Sequence, residues 1–489
     1  MTPTETWQRL DPRMLLVHPI KEVGRFLPVL IGLLIAGGAS GGGPWALLGV
    51  GLPVGLGVVR YLTTTYRIHD GRVELRRGLL QRHTLATPVD RVRAVDLTAS
   101  PIHRILGLAT VVIGTGSVAS DADERLELDA LPRDEAARLR AALLRTGQAY
   151  AVQVLPDGTA LPPPPAVEQV VARFSPRWLW YAPFSGTVLV AAGAMLGVAG
   201  QLSQSIHVRI TEADLAAITE ALVLVVAAGI VVLAIVLAVG GYLVTNGNFV
   251  LARQGSAWHV RRGLLTHREI SIDVARVAGV SLGEPAALRV ARGRRVHAIV
   301  TGLGGEHHAS SSMLLPPAPR AIGYDVASAV LGDATPMSAP LLPHGRAAVT
   351  RRYTRALLGA LPFVLLPVAG VVAGGPVWLL VVALLPVGVA LALAVDRVRS
   401  LGHAFVAGHV VMRSGSALRS RDALAAGHVI GWNQRATWFQ RRAGLVSLAA
   451  TTAGGKGRVH VPDVPVAAAI ALAEAATPGL VGQFLEEVR

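Results

Sequence analysis

The chain has 489 residues, of which 52% are hydrophobic and only 16% charged; an ordinary soluble domain carries about 25% charged residues, so a simple soluble protein is excluded. With no cysteine, disulfides, thiolate nucleophiles and Cys-ligated metals are excluded too. The net charge of +15 is almost wholly arginine, since Lys21 and Lys456 are the only lysines; such a balance suits anionic lipid or nucleic acid.

A length prior of roughly 100–200 residues per domain allows about three domains. Residues 1–25 form a polar, basic N-terminus without a signal-cleavage pattern. Residues 26–39 and 44–59 are uncharged arms around a small-residue break, and read as a first transmembrane hairpin over 26–60. From residue 61 to 150 the texture turns to β: Asp70-Gly71 between alternating runs is a hairpin signal. Residues 132–145 then read as a terminal helix, with Pro at the start, acids in the first turn and Arg in the last. Residues 151–177, with Pro162–Pro165, read as a stiff linker.

The order then recurs. Residues 178–200 and 221–243 read as a second hairpin (178–244), followed by a β-rich stretch over 245–331 with a terminal helix at 318–331. Residues 332–355 are the next linker, and 356–373 with 377–395 the third hairpin. A third β-rich stretch over 396–478 ends in a helix at 465–476, leaving a tail at 479–489. Basic residues cluster at one end of every hairpin: Arg9, Arg13, Lys21 and Arg25, then Arg173 and Arg177, then Arg346, Arg351, Arg352 and Arg355. Positive loops stay inside. Both termini and all three β-rich stretches are therefore expected on the cytoplasmic face of a plasma membrane.

Landmarks recur at fixed steps. Gly78 is followed by Arg91 and Arg104, Gly263 by Arg276 and Arg289, and Gly415 by His428 and Arg441, always thirteen residues apart. The local text RRGLL occurs at 76–80 and at 261–265. Three domain-sized copies of one unit follow from this pattern. Gly107 and Gly444 read as turns that a side chain would strain; Arg292 stands in that place in the second copy, which leaves the turn open there. All these landmarks read as structural.

The order of hairpin, strands and then PVDRVRAVDLTASPIHRILGLATVVIGTG (88–116) resembles the bacterial pleckstrin-homology-like (PH-like) domain. Three units in one chain resemble the YdbT-like members of the YdbS/YdbT-like bacterial membrane proteins. GHVIGWNQRATWFQRRAGLVSLAATTAGGKG (427–457) resembles their last domain. The resemblance implies an α-helical membrane protein with six transmembrane helices in three hairpins. Each hairpin is followed by a cytoplasmic PH-like β-sandwich or open barrel capped by a C-terminal helix.

No catalytic constellation is legible, so an enzyme is not expected, nor a cofactor or metal. The glycines at 454–457 lack the rest of a phosphate loop and read as a turn. None of the six apolar segments holds an ionisable residue in its interior, which argues against an ion-coupled transporter. A membrane-anchored binding or scaffold protein is the expected function. Recognition of anionic lipid headgroups is the alternative, with a transporter or stress-resistance component behind it. Expected partners are the bilayer and another membrane protein, either a single-unit relative or a second copy, but no nucleic acid. Only the third copy sets two aromatics before the shared Arg, so Trp438, Phe439, Arg441 and Arg442 are the candidate contact residues.

Overall fold

The computed structural model describes residues 7–15, 62–69, 72–77, 83–88, 94–114, 126–145, 168–186, 193, 197, 220–301 and 312–480. The expected first hairpin, most of the first arm of the second, and the landmarks Gly78 and Arg91 lie outside them. The chain divides into two compact units, Met1–Val274 and Ala275–Arg489.

In the first unit, β1 (Gln8–Arg9), β2 (Thr65–His69), β3 (Arg72–Arg77) and β4 (His83–Pro88) make one antiparallel sheet in that order. Trp7 anchors its first edge beneath the guanidinium groups of Arg67 and Arg76, 4.6 and 3.9 Å from the ring centre. A second run follows: β5 (Ala94–Ala99), the short helix α1 (Pro101–Ile105), β6 (Leu108–Gly114), β7 (Leu126–Pro132) and α2 (Arg133–Arg145). Alternate residues of both runs point to one core, with Val73 and Leu75 from β3, Val95 from β5 and Val111 and Ile113 from β6. Ala136, Leu139 and Leu143, spaced along one face of α2, close it. Each buried aliphatic side chain contributes about 1.5–3 kcal/mol here.

The same unit continues with β8 (Glu168–Arg173), 3-10 turns at Pro176–Tyr181 and Pro183–Ser185, the apolar helix α3 (Glu220–Asn246), β9 (Val250–Gln254), β10 (Ala257–Arg262) and β11 (His267–Asp273). β8 occupies the end of the stretch read as a linker. These strands do not form a separate sheet. They extend the one begun by β5 to β7, in the order β7-β6-β5-β11-β10-β9-β8.

The second unit repeats this plan. β12 (Val277–Pro285), α4 (Ala286–Val290), β13 (Gly293–Val300), β14 (Met313–Pro319) and α5 (Arg320–Leu331) lead through α6 (Thr335–Ser338) to two long helices, α7 (Gly345–Val372) and α8 (Leu379–Ser400). Then come β15 (Gly402–Val406), β16 (His409–Ser414), β17 (Leu418–Ala425), β18 (Gly431–Arg435), α9 (Trp438–Arg442), β19 (Leu445–Thr451), β20 (Arg458–Pro465) and α10 (Val466–Ala476). Here the sheet order is β14-β13-β12-β17-β16-β15, with β18-β19-β20 beside it as a separate sheet.

Three helices among the described residues are long and apolar enough to cross a membrane: α7, α8 and the Ala228–Asn246 part of α3. The sequence expected six such segments, and the described residues supply three. α7 begins eleven residues before its expected start because Arg346–Arg355 are helical as well. α7 and α8 pack through small residues, Ala356 and Ala360 against Ala390 and Ala394, which lets helices approach closely where no water drives them together. Large apolar side chains such as Leu366 and Leu384 stay exposed on the outer faces, as lipid-facing helices require.

The junction between successive β-rich segments follows one register. β5 pairs with β11 so that Ala94 faces Ile272 and Thr98 faces Arg268. β12 pairs with β17 so that Gly279 faces Leu424 and Gly283 faces Ser420. Ala94 and Gly279 are matched by the landmark spacing, as are Ile272 and Leu424, so the two seams are the same seam. A further pairing recurs at the opposite edge, where Gln8 faces Tyr66, Ala172 faces Leu251 and Leu342 bridges to His403. Register is fixed this tightly because a slip of one residue would turn every buried side chain outward.

Candidate functional site

The recurring steps of thirteen residues now have a physical meaning. Gly263 and Gly415 sit at φ +102° and +103° in the turns β10–β11 and β16–β17, where a Cβ would collide with the carbonyls of Thr266 and Leu418. Arg276 and His428 end the 3-10 turns that follow β11 and β17. Arg104, Arg289 and Arg441 lie in the last turns of the short helices α1, α4 and α9.

Behind each short helix the chain turns through a left-handed residue: Gly107 at φ +70°, Arg292 at +59° and Gly444 at +63°. In all three places that residue's carbonyl accepts the first amide of the terminal helix, from Arg133, Arg320 and Val466 respectively. Arg292 therefore keeps the turn that its side chain left open in the sequence. The backbone there is held at a conformation costing an L residue about 1–2 kcal/mol.

A polar network lies under α1. Ser100 caps the helix and its Oγ is 2.6 Å from His103 Nδ1, while His103 Nε2 is 3.3 Å from Asp129, which also accepts from Thr110. The Ser-His-Asp order resembles a hydrolytic triad, but His103 is 1% exposed and Ser100 is engaged as a cap. α9 carries the corresponding network: Thr437 caps, and Gln440 donates to Asp463 and Ser447. In α4 the buried position is simply Leu288. The network positions the short helix.

At the first seam this scaffold surrounds a cavity of about 460 Å³. β5 supplies one wall, α1 gives Arg104, and α2 gives Arg133 and Arg140. The end of β10 gives Arg261 and Arg262, and the start of β11 gives His267, Arg268 and Glu269. Arg104 Nη1 donates to the Leu264 carbonyl at 3.1 Å, and Arg140 meets Glu269 at 2.5 Å. Arg262 is pushed down to about 10 by burial and then by Arg268. His267 lies below its ordinary value through burial, then Arg104 and Arg133. Six guanidinium groups against one lining carboxylate make a place where an anion is electrostatically welcome. Asn248 and Val250 line it too, so it opens beside the end of α3.

The second seam has the corresponding residues, but they are tied. Arg289 forms a bidentate pair with Asp396 of α8 at 2.7 and 2.8 Å and also donates to the Ser416 carbonyl. Glu284, buried, holds Arg294 and Arg419 at 2.9 and 2.8 Å. Arg421 donates to the carbonyls of Pro336 and Ala339, and Arg413 to those of Ser400 and Arg399. Asp463 takes Arg351 and Arg352 from the base of α7, both at 2.8 Å.

Of the residues singled out in the sequence, Arg104 lines the cavity and Arg289 ties the second seam. Trp438 and Phe439 stand 54% and 67% exposed, edge to face at 5.0 Å, with Arg442 4.8 Å over the indole. The Trp438 ring lies outside the buried core of its segment. Sequence reasoning missed Arg133, Arg140, Arg262 and Arg268. Arg261-Arg262 was visible as repeated text, but only the seam brings α2 against β11.

The sheet pairs, short helices and capping helices define a PH-like architecture on apolar helices, and the family comparison agrees. The bacterial PH domain family model matches residues 22–146 and 356–477, just over half of the chain. The chain belongs to the bacterial PH domain family. No curated protein and no solved structure matches it.

Proposed function

We propose that the chain is a membrane-anchored scaffold: three PH-like units of the YdbT-like kind, carried on six spans in three hairpins, which present a protein-binding surface at the cytoplasmic face. The observation that carries this reading is the seam. Within each unit two β-rich segments are joined in the same register, and the last short helix of the second unit exposes Trp438, Phe439, Arg441 and Arg442. Aromatic and Arg side chains of that kind dominate binding energy at interfaces. Basic residues at the base of α7 and the end of α8 favour the cytoplasmic side for the β-rich segment that follows.

Trp438→Ala with Phe439→Ala tests it. The variant should keep the wild-type thermal midpoint yet lose association with its partner in membranes. Unfolding, or association unchanged, would refute the surface role. A second reading has its own observation, the arginine-lined cavity beside α3, which fits a phosphate-bearing lipid headgroup. Binding to vesicles with anionic lipid, lost in Arg262→Ala with Arg268→Ala, is its test.

A further inference from the structure

Each seam joins two kinds of strand. β11 and β17 close a first three-stranded run, and β5 and β12 open a second. Among the described residues, one strand of each kind is paired on one side only: β4, of the kind of β11 and β17, and β18, of the kind of β5 and β12. Six of the nine residues of β12 are buried, whereas no residue of β18 is. In β4, Thr84 and Ala86 are exposed and the other described side chains are only half-buried. Open edges are places where another strand adds, unless length, charge or proline blocks them. β1 is two residues long and β15 is bridged by Leu342, but β4 and β18 carry proline or charge only at their ends.

We propose that β18 of one chain pairs antiparallel with β4 of a second copy, in the register of the internal seams. Carrying the seam spacing forward places Gly431 opposite Thr87, Trp432 opposite Ala86 and Gln434 opposite Thr84. The inference rests on reading the three segments as copies in a scaffold, and it names the partner. α9 supports it independently. In the internal seams Arg104 and Arg289 reach across to the carbonyls of Leu264 and Ser416 in the next segment, and the Ala286 amide donates to the Ala417 carbonyl. Arg441 and Trp438 occupy the places of Arg289 and Ala286. Both are exposed, and the Arg441 side chain has no partner among the described residues. The surface that the next segment covers at both internal seams is exposed at α9.

Such an interface is head-to-tail, so association continues from copy to copy until a ring closes. All copies keep the same orientation in the membrane, which restricts the repeating rotation to an axis along the membrane normal.

The chain lacks cysteine, so a directed crosslink is clean. Two differently tagged full-length forms, one with Thr84→Cys and one with Gln434→Cys, are co-expressed and oxidised mildly in membranes. Both positions are exposed, and each form should match the wild-type thermal midpoint. A disulfide joining the two tags is expected, at least tenfold above an Ala86→Cys with Gln434→Cys control, because directly opposite residues approach within bonding reach and residues two places off do not. Native mass measurement of the unmodified protein should give multiples of one chain. A single-chain mass with no mixed-tag disulfide overturns the proposal. So does a disulfide within one chain carrying both cysteines, which would mean that the edges close on each other. A different protein caught at Gln434→Cys in place of the second copy also overturns it, yet leaves the scaffold reading standing. Loss of every association, with Gln434→Cys freely labelled in membranes, removes both.

Discussion

The two seams share one backbone register and differ in what their arginines do. At the first seam, Arg104, Arg133, Arg261, Arg262 and Arg268 surround a cavity with Glu269 as its one lining carboxylate. At the second, Glu284 and Asp396 bind Arg294, Arg419 and Arg289 directly. The strand pairing therefore supplies the joint, while a few carboxylates decide whether the joint is sealed or open to an anion.

Removing a sealing carboxylate should separate the two seams by the largest effect. Glu284→Ala strands Arg294 and Arg419 in a buried site, and should destabilise the protein by about 3–5 kcal/mol. Glu269→Ala at the first seam removes a half-exposed pair, and should cost about 1 kcal/mol or less. Chemical unfolding of the detergent-solubilised variants compares the two; equal losses would erase the distinction between the seams.

Acid gives the next largest effect. His403 Nδ1 lies 3.1 Å from His344 Nε2 in a buried pair where Leu342 bridges to β15. Burial, then His403, lowers His344 to about 4, and burial lowers His403. Neutral imidazoles thus favour the fold above the unfolded-state value near 6.5, and that stability is lost as pH falls from about 6.5 toward 4. A loss of roughly 1–3 kcal/mol is expected over that range, and His344→Phe should flatten it. A midpoint that ignores pH between 7 and 5 would contradict the neutral pair.

Turn chemistry separates the segments by smaller amounts. Gly444→Val places a β-branched residue at φ +63° and should cost about 1–3 kcal/mol. Arg292→Gly relieves the same conformation, and should stabilise by about 1 kcal/mol. Thermal midpoints decide both, and a destabilised Arg292→Gly would mean that the side chain holds the turn by contacts.

Much of this was legible from residues. The thirteen-residue steps mark turn, 3-10 turn and short helix, and the terminal helices begin within two residues of their expected starts. The apolar segments of α7 and α8 were plain, but the helical start of α7 was not: Arg346–Arg355 looked like linker until Asp463 gave Arg351 and Arg352 a partner. The left-handed turn at Arg292 ran against the local residue preference and is imposed by the Arg320 amide bonding its carbonyl. The cavity was hidden for a different reason. α2 and β11 are far apart in the chain, and strand pairing between segments is a long-range register that no local pattern encodes.

One register joins successive segments, and a crosslink reads it directly. Thr98→Cys with Arg268→Cys and Gly283→Cys with Ser420→Cys place cysteines directly opposite across the first and second seams. Both pairs should oxidise nearly completely in membranes, while Asp96→Cys with Arg268→Cys, two residues out of register, should stay reduced. Equal oxidation of the matched and offset pairs, or none in either seam, would contradict the shared register.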